Sequence, residues 1–195
     1  ERAALASAMF SDVLISLSRA TNLSGVLVVS ADADVARTAA LHNANWIDDE
    51  GATSHSEAAS LGIAHALAAG AKRVLLVPGD CPAITSEEIN SLAALDIGDN
   101  AVAILTDRHG TGTNGLLISP PDAITPSFGP GSKERHLSLA AEAGATGLVV
   151  ESPGFLLDVD TPEDLESLSS HLDTARGTAA NTRGVLAERK LIANG

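Results

Sequence analysis

The sequence predicts an α/β fold in which a mostly parallel sheet lies between two layers of helices. Two patterns support this prediction. Short, continuously apolar runs alternate along the chain with longer segments in which apolar residues recur at helical spacing. The apolar runs are rich in Val, Ile and Leu, as is typical of strands that are covered on both faces. Because 45% of the 195 residues are hydrophobic, the chain can bury one substantial core.

In the first half of the chain, predicted helices and strands alternate regularly. Residues 1–18 carry Leu5, Met9 and Val13 at helical spacing, which predicts an amphipathic helix. The run GVLVVSAD is β-branched and continuously apolar, and RVLLVPGD is the clearest buried strand of the sequence. The predicted order is helix 1–18, strand 25–32, helix 33–42, short strand 45–49, helix 56–69 and strand 73–80.

The second half begins with a helix start. Thr85 is followed three residues later by Glu88, the pattern of a capping box. The next predicted elements are the strands NAVAILTD and NGLLIS, the helix SKERHLSLAAEAG, and the extended runs TGLVVES and GFLLDVD. Thr161 as cap and Pro162 at the first helical position then predict a last helix. In residues 173–195 the apolar periodicity fades, so a tail without an assigned element is expected there.

The charge of the chain argues against several functions. With 25 acidic and 12 basic side chains the formal net charge is -13, which repels the backbone of nucleic acids. A chain of this charge that handles a nucleoside triphosphate is expected to need a divalent metal ion. No apolar run is long enough to cross a bilayer. The single Cys81 cannot form an internal disulfide and no signal peptide is visible, which favours a cytoplasmic location.

Three aspartates are expected at the carboxyl ends of strands, where ligands gather in sheets of this kind. Asp80 ends RVLLVPGD, and Asp158 and Asp160 end GFLLDVD. Because side chains alternate along a strand, Asp158 and Asp160 are predicted to project from the same side. Carboxylates on one rim suit Mg²⁺. The alternative is that Asp80 is only a turn residue and that Asp160 only helps to cap the last helix.

A second candidate site is the segment FGPGSKERH, residues 128–136. Gly129 and Gly131 allow backbone amides to converge, and Ser132 opens the next predicted helix. A glycine turn at a helix N-terminus presents amide donors and positive dipole to an anion, so a phosphate is the expected guest. The alternative is an ordinary turn with a serine cap. Three basic side chains near the helix start either add charge to this site or remain in solvent, namely Lys133, Arg135 and His136.

The segment DRHGTGTNGLLIS, residues 107–119, is expected to reach the same rim. Arg108 follows the strand NAVAILTD, and the glycines let the backbone and the Thr113 hydroxyl approach a phosphorylated ligand. Asn114 offers both a donor and an acceptor and can read a base or a carboxylate. Arg108, Thr113 and Asn114 are therefore candidate substrate-binding residues.

Several common reaction classes lack their motifs in this sequence. There is no G-x-S-x-G elbow, no G-x-x-x-x-G-K-[ST] loop and no G-x-G-x-x-G turn after a first strand. The histidines show no spacing typical of zinc, and the lone Cys81 offers them no partner.

Four motifs together resemble the 2-phospho-L-lactate guanylyltransferase family. In chain order they are VPGDCPA, DRHGTGTNGLL, FGPGSKERH and LLDVDTPEDL. The family also includes the phosphoenolpyruvate guanylyltransferases of coenzyme F(420) biosynthesis. The likeness spans roughly residues 1–170, and the combination is far more specific than any one motif. It implies a glycosyltransferase-A-like nucleotidyltransferase fold and a reaction in which a phosphorylated three-carbon acid attacks the α-phosphate of GTP and pyrophosphate leaves.

The resemblance also implies roles for individual residues. The family's catalytic, magnesium-binding aspartates correspond to Asp80, Asp158 and Asp160. The positions that hold the phosphorylated acid correspond to Thr113, Gly129 and Ser132. Glu57 stands where relatives often carry Asn in a base-contacting stretch. Because the attacking phosphate is largely ionised at neutral pH, no general base is expected.

The resemblance finally defines the expected domain and partners. Residues 1–172 are expected to form the nucleotidyltransferase domain, without the first strand and nucleotide-binding loop with which related enzymes begin. The expected partners are GTP and a small phosphorylated acid, without nucleic acid or membrane, and a homodimer is left open. Two alternatives stay open: another nucleotidyltransferase of this fold, with a cytidylyl donor or a molybdopterin-type acceptor, or a non-catalytic fragment that binds phosphoanions.

Overall fold

The computed structural model describes residues 2–175 and 177–193. Within these ranges the chain forms six strands, seven α-helices and one short 3-10 helix, Pro153–Leu156. The strands are β1 (Leu27–Val29), β2 (Asn45–Ile47), β3 (Val74–Leu76), β4 (Ala101–Leu105), β5 (Gly115–Ser119) and β6 (Thr146–Val150). The helices are α1 (Arg2–Arg19), α2 (Ala33–Leu41), α3 (His55–Ala68), α4 (Ser86–Ala94), α5 (Ser132–Glu142), α6 (Pro162–Thr174) and α7 (Ala180–Ala193). None of the helices in the described ranges has the length and apolar character needed to cross a membrane.

The strands form two sheets. β1 and β2 pair in parallel, with Val28 opposite Trp46. The other four strands form a second sheet in the order β3-β5-β4-β6. In this sheet β3, β4 and β6 point the same way, and β5 runs antiparallel to both of its neighbours. The prediction of a mostly parallel sheet is therefore confirmed. β5 is the exception because the loop from β4 to β5 is too short for the crossover that a parallel pair needs.

Helices cover the four-stranded sheet on both faces. Alternate residues of a strand point to opposite sides, and β4 shows this clearly. On one face, Val102 and Ile104 share a buried cluster with Ile63 of α3. On the other face, Leu105 shares a buried cluster with Ile89 of α4. The predicted order of helix layer, sheet and helix layer is therefore confirmed, and the loops that follow β3, β4 and β6 leave the sheet at the same edge.

Two helices start as the sequence predicts. The Thr85 side chain accepts a hydrogen bond from the Glu88 backbone, and the Glu88 carboxylate accepts one from the Thr85 backbone, which completes a capping box at α4. α6 begins with Thr161 as cap and Pro162 in its first turn. These starts were readable because a cap needs only residues that are neighbours in sequence.

The segment GFLLDVD is not a strand, contrary to the prediction. Residues 153–156 form the 3-10 helix, and residues 157–160 are irregular. The reason lies at Gly154, whose N–H donates to Glu88 Oε1 at 2.7 Å. A Cβ atom at Gly154 would lie only 2.6 Å from the Ile84 Cα atom. The segment is therefore attached to the start of α4 rather than to a neighbouring strand.

The predicted C-terminal tail contains a helix, α7, which packs against α1. The buried Asp12 carboxylate of α1 accepts hydrogen bonds from the backbone N–H groups of Asn181 (3.1 Å) and Thr182 (2.8 Å). It also accepts from the Asn181 amide at 2.8 Å and from the Thr182 hydroxyl at 2.7 Å. Asp12 thus caps α7, although it lies 169 positions before Asn181 in the sequence. Local periodicity cannot reveal a cap of this kind.

Candidate active site

Asp80 lies in the turn that follows β3, close to the other two candidate aspartates. Burial raises the pKa of Asp80 to about 6, and the charges of Asp160 and Asp158 contribute to the increase. The neighbouring Cys81 is fully buried, with its sulfur 4.0 Å from Asp80 Oδ1. Burial and the charges of the same three aspartates also raise the pKa of the Cys81 thiol. The structure therefore brings Asp80, Asp158 and Asp160 into one electrostatic cluster.

Asp158 is held in this cluster by the loop between β4 and β5. The Asn114 side chain stabilises the ionised Asp158 carboxylate and partly offsets the increase in the Asp158 pKa that burial causes. The Asn114 amide also donates to the Phe155 carbonyl at 2.6 Å. Asn114, predicted as a substrate-binding residue, therefore positions the irregular segment that carries Asp158.

Asp160 does not cap α6, because Thr161 occupies that place. The Asp160 backbone N–H donates to Asp164 Oδ2 at 3.2 Å, which fixes the chain just before the helix. Asp164 also forms an ion pair with Arg108, with 2.7 Å between Nη2 and Oδ1. The Arg108 guanidinium donates in addition to the Ser167 hydroxyl at 2.6 Å. Arg108 thus ties the β4–β5 loop to α6, and its predicted contact with substrate stays a prediction.

The three aspartates do not form a closed chelate. Among the described residues, no group of three or more Asp, Glu, His or Cys side chains is arranged to hold a metal ion by itself. Mg²⁺ is commonly bound through one or two carboxylates, with water and substrate phosphates as the other ligands. Magnesium binding by Asp80, Asp158 and Asp160 stays a prediction.

The β4–β5 loop has an internal framework that presents Thr113 and Asn114. Asp107 Oδ1 accepts from the Thr111 N–H at 3.0 Å. A Cβ atom at Gly112 would lie 2.6 Å from Asp107 Oδ2, so only glycine fits in this loop without a shift. The Asn114 N–H then donates to the Leu105 carbonyl at 2.8 Å and leads into β5.

The loop before α5 contacts the β4–β5 loop directly, as the shared rim predicts. Gly131 has a left-handed backbone (φ 69°) at the N-cap of α5 and gives the helix no side-chain cap. The Lys133 N–H donates to the Thr111 carbonyl of the other loop at 3.2 Å, and the Ser132 N–H donates to the Gly129 carbonyl at 3.0 Å. Two first-turn amides are therefore already paired. The expectation that they stand free for an anion is wrong, and the helix dipole and nearby hydroxyls remain to bind one.

Arg135 is bound to backbone carbonyl groups, and His136 is uncharged. The Arg135 guanidinium donates to three carbonyl groups of the loop before α5, at 3.0 to 3.2 Å: those of Ser127, Phe128 and Pro130. His136 is fully buried, and burial together with the Arg135 charge lowers the His136 pKa to about 4. Both side chains therefore organise the two glycine loops. Their roles could not be read from the sequence, in which the same residues are equally compatible with a solvated helix surface.

Glu57 lies in the first turn of α3, beside a shallow cleft of about 340 Å³. Its carboxylate accepts from the Thr53 N–H at 2.6 Å and from the Thr53 hydroxyl at 2.9 Å. These hydrogen bonds lower the pKa of Glu57. The cleft is lined by Ser56, Glu57, Ser60, Leu61, Thr125 and Pro126. Ser56 links it to the loop before α5, because its hydroxyl accepts from the Phe128 N–H at 2.9 Å. A base contact by Glu57 stays a prediction.

The sequence reasoning missed two acidic residues that support the site. Glu88 joins the start of α4 to Gly154, a few residues before Asp158, and Asp164 joins Arg108 to the start of α6. Both sit at the third helical position, where an acidic residue is usually interpreted as a cap alone.

Comparison with known proteins identifies the family. The family model described as "Guanylyl transferase CofC like" matches residues 1–182. The phosphoenolpyruvate guanylyltransferase of Conexibacter woesei is 44% identical over 186 residues, which cover 95% of this chain and 83% of that protein. The phosphoenolpyruvate guanylyltransferase of Sphaerobacter thermophilus is 37% identical over 171 residues, which cover 88% of this chain and 82% of that protein.

Solved structures show the same fold at low sequence identity. A Desulfovibrio desulfuricans protein assigned to the nucleotide-diphospho-sugar transferases has a TM-score of 0.73 at 18% identity, covering 97% of this chain and 84% of that one. A 4-diphosphocytidyl-2C-methyl-D-erythritol synthase has a TM-score of 0.63 at 16% identity, covering 82% of this chain and 88% of that one. The fold class and the family resemblance predicted from the motifs are thereby confirmed. The chain belongs to the guanylyl transferase family described as CofC like.

Proposed function

We propose that this chain transfers GMP from GTP to phosphoenolpyruvate or a closely related phosphorylated three-carbon acid, with Mg²⁺ as cofactor. Membership of the guanylyl transferase family supports GTP as the donor. The names of the relatives from Conexibacter and Sphaerobacter favour phosphoenolpyruvate as the acceptor. The same reaction type with 2-phospho-L-lactate belongs to coenzyme F(420) biosynthesis, the pathway that the resemblance implies.

One structural observation carries the proposal. The acidic cluster and the two glycine loops are linked: the Asn114 side chain stabilises the ionised Asp158 carboxylate, and the Thr111 carbonyl accepts from the Lys133 N–H at 3.2 Å. A carboxylate cluster that suits a metal-bound triphosphate therefore lies at the same rim as a helix N-terminus that suits a phosphate. A nucleotidyltransferase needs both kinds of site side by side.

The reaction requires the protein to bind and orient the two substrates rather than to transfer protons. An oxygen of the acid's phosphate forms a bond to the α-phosphorus of GTP, and the bond from that phosphorus to the oxygen shared with the β-phosphate breaks. Pyrophosphate leaves with the electron pair. Because a phosphomonoester with a second pKa near 6 is already ionised at neutral pH, no base is required. This agrees with a site in which His136 is uncharged and Cys81 is an un-ionised thiol.

The acidic cluster fits a cation because it carries more negative charge than its surroundings neutralise. Burial and two neighbouring carboxylates raise the pKa of Asp80 to about 6. Asp80, Asp158 and Asp160 would hold Mg²⁺, which when bound withdraws charge from the phosphates of the nucleotide and of the leaving pyrophosphate. Asn114 orients Asp158, and the start of α6 orients Asp160.

The proposal is tested by pyrophosphate release from the natural full-length protein. GTP, CTP and ATP are each combined with phosphoenolpyruvate, 2-phospho-L-lactate and 3-phospho-D-glycerate, with and without Mg²⁺. We expect release with GTP and phosphoenolpyruvate, and only with Mg²⁺. A preference for CTP, or acid binding without any transfer, would count against the proposal and for one of the two alternatives.

Site variants give the matched comparison. Asp158→Asn and Asp160→Asn each remove one negative charge with little change in shape, and we expect a fall in kcat of at least about a hundredfold. Asp99→Asn makes the same change at an exposed position outside the acidic cluster and serves as the control. Equal activity of the Asp158→Asn and Asp99→Asn proteins would contradict the role given to the cluster.

A further inference from the structure

His136 lies between the two glycine loops with both ring nitrogens engaged. Its side chain is fully buried in the first half of α5. Nε2 accepts a hydrogen bond from the Ser127 backbone N–H at 2.9 Å. Nδ1 lies 3.0 Å from the Thr113 hydroxyl oxygen. The Phe128 ring packs edge-on against the imidazole, with 5.4 Å between the ring centroids. The ring therefore has a fixed place and orientation.

The Ser127 contact decides which nitrogen carries the proton. A backbone N–H can only donate, so Nε2 must present its lone pair and be unprotonated. The ring is neutral, because burial and the charge of Arg135 lower its pKa to about 4. A neutral imidazole carries one proton, which must then be on Nδ1. Nδ1–H consequently donates to the Thr113 oxygen, and the hydrogen bond has a single direction.

This direction leaves the Thr113 proton available. A hydroxyl group has one proton to donate and two lone pairs, and His136 occupies a lone pair. The O–H bond must therefore point away from the imidazole. Thr113 is almost fully buried and lies next to Asn114, which binds Asp158. An anion placed between the β4–β5 loop and the loop before α5 would meet a hydroxyl donor rather than a lone pair.

A hydroxyl donor matters there because two of the neighbouring backbone donors are already occupied. The Ser132 and Lys133 amides at the start of α5 are paired with the Gly129 and Thr111 carbonyls. Hydrogen bonds to an ionised acceptor are roughly twice as strong as neutral ones. One correctly oriented hydroxyl can therefore make a measurable contribution to the binding of a phosphorylated acid.

We propose that His136 is a positioning residue that holds the Thr113 hydroxyl as a hydrogen-bond donor to an anionic oxygen of the phosphorylated acid. The inference rests on the proposed function, because it gives that acid its place at Thr113. His136 itself does not touch the substrate. It acts through Thr113, and the Ser127 amide acts through His136 by fixing the tautomer.

Two substitutions separate this role from a purely structural one. The amide nitrogen of Asn is two bonds from Cβ, as Nδ1 is, so His136→Asn can still donate to Thr113. The terminal oxygen of Gln is three bonds from Cβ, as Nε2 is, so His136→Gln can still accept from Ser127 but cannot donate to Thr113. We expect His136→Gln to raise the KM for phosphoenolpyruvate about tenfold or more, with the KM for GTP changed less than about twofold. We expect His136→Asn to keep the KM for phosphoenolpyruvate within about threefold of the natural value.

Thr113→Val provides the reference for the comparison. If His136 acts through the hydroxyl, His136→Gln should raise the phosphoenolpyruvate KM no further in a Thr113→Val protein. Equal, additive losses in the two backgrounds would overturn the proposal. So would the opposite order, in which Gln preserves and Asn destroys binding of the acid, because His136 would then act through the Ser127 loop alone.

Two measurements keep the proposal testable if a variant does not fold or if the proposed function fails. Nitrogen-15 NMR of the natural protein reports the tautomer directly, and a protonated Nε2 would overturn the inference. Calorimetric titration with phosphoenolpyruvate in the absence of nucleotide measures binding without turnover. Natural protein that binds the acid but does not transfer GMP would contradict the proposed function. Equal affinity of the natural and His136→Gln proteins would contradict the positioning role.

Discussion

Replacing Glu88 by Gln should weaken both the fold and the site, because one carboxylate joins the start of α4 to the segment before Asp158. Glu88 Oε1 accepts from the Ser152 hydroxyl at 2.9 Å and from the Gly154 N–H at 2.7 Å. Oε2 accepts from the Thr85 N–H at 2.9 Å and from the Thr85 hydroxyl at 3.1 Å. Gln keeps the shape but turns one of these oxygens into an NH₂ group, which faces donors instead of accepting from them.

The size of the effect follows from these contacts. Hydrogen bonds to a charged group contribute about 1.5 to 3 kcal/mol each. Gln loses the one from a backbone N–H at its NH₂ group and removes the charge from the others, so the free energy of unfolding should fall by about 3 kcal/mol. The control is Glu87→Gln, which makes the same change at an exposed position in the same first turn and so has a similar effect on the helix dipole. Urea unfolding followed by circular dichroism measures both variants.

The reasoning would be refuted if Glu88→Gln lost less than about 1 kcal/mol beyond the loss of Glu87→Gln. A functional readout accompanies the stability measurement. Because Gly154 is bound to Glu88 and the chain continues to Asp158, loosening this attachment should also lower Mg²⁺-dependent pyrophosphate release at temperatures where the variant remains folded. Unchanged release would show that Asp158 is positioned by Asn114 alone.

Three further predictions concern other parts of the molecule. His136 has a lowered pKa, so the unfolded chain binds its proton first and stability should fall as the pH drops from about 6.5 to about 4, by up to about 3 kcal/mol. Urea unfolding across this range should show a smaller pH dependence for His136→Phe, and parallel curves would contradict the assignment. Asp80 has a raised pKa, so its ionisation costs stability as the pH rises from about 3.8 to about 6. Asp80→Asn should therefore be up to about 3 kcal/mol more stable than the natural protein at pH 7 without metal. Added Mg²⁺ should raise the Tm of the natural protein but not of the variant, and an equal increase in both would count against Asp80 as a ligand. Asp12→Asn should cost about 2 kcal/mol and make α7 more sensitive to limited proteolysis, whereas proteolysis at the natural rate would argue against Asp12 as the cap of α7.

The parts of the fold that depend on sequence neighbours could be predicted. β4 and β5 are buried, mostly apolar runs, and the cap at Thr85 needs only Glu88 three residues later. Gly154 shows where such reasoning ends. Its segment has the apolar composition of a strand, but its backbone is fixed by Glu88 and by close packing against Ile84. Contacts between residues so far apart in sequence leave no local pattern.

The position of the candidate site could be predicted, but the hydrogen bonds and ion pairs within it could not. The three aspartates form one cluster and the two glycine loops contact each other, but Asp158 and Asp160 lie in an irregular segment and not at the end of a strand as predicted. The interpretation of His136 as a source of charge failed because charge depends on burial, and the sequence does not show that this histidine is enclosed by Phe128 and by the carbonyl-bound Arg135. Arg108 likewise has its partner in α6, which only the tertiary fold reveals.

The bond between α1 and α7 has a consequence for synthesis in the cell. The groups that satisfy the Asp12 carboxylate, in Asn181 and Thr182, emerge from the ribosome 169 and 170 residues after Asp12. Until then, the face of α1 that α7 covers remains exposed. Translation pauses between these residues would therefore prolong an intermediate with an exposed helix, which chaperones can recognise.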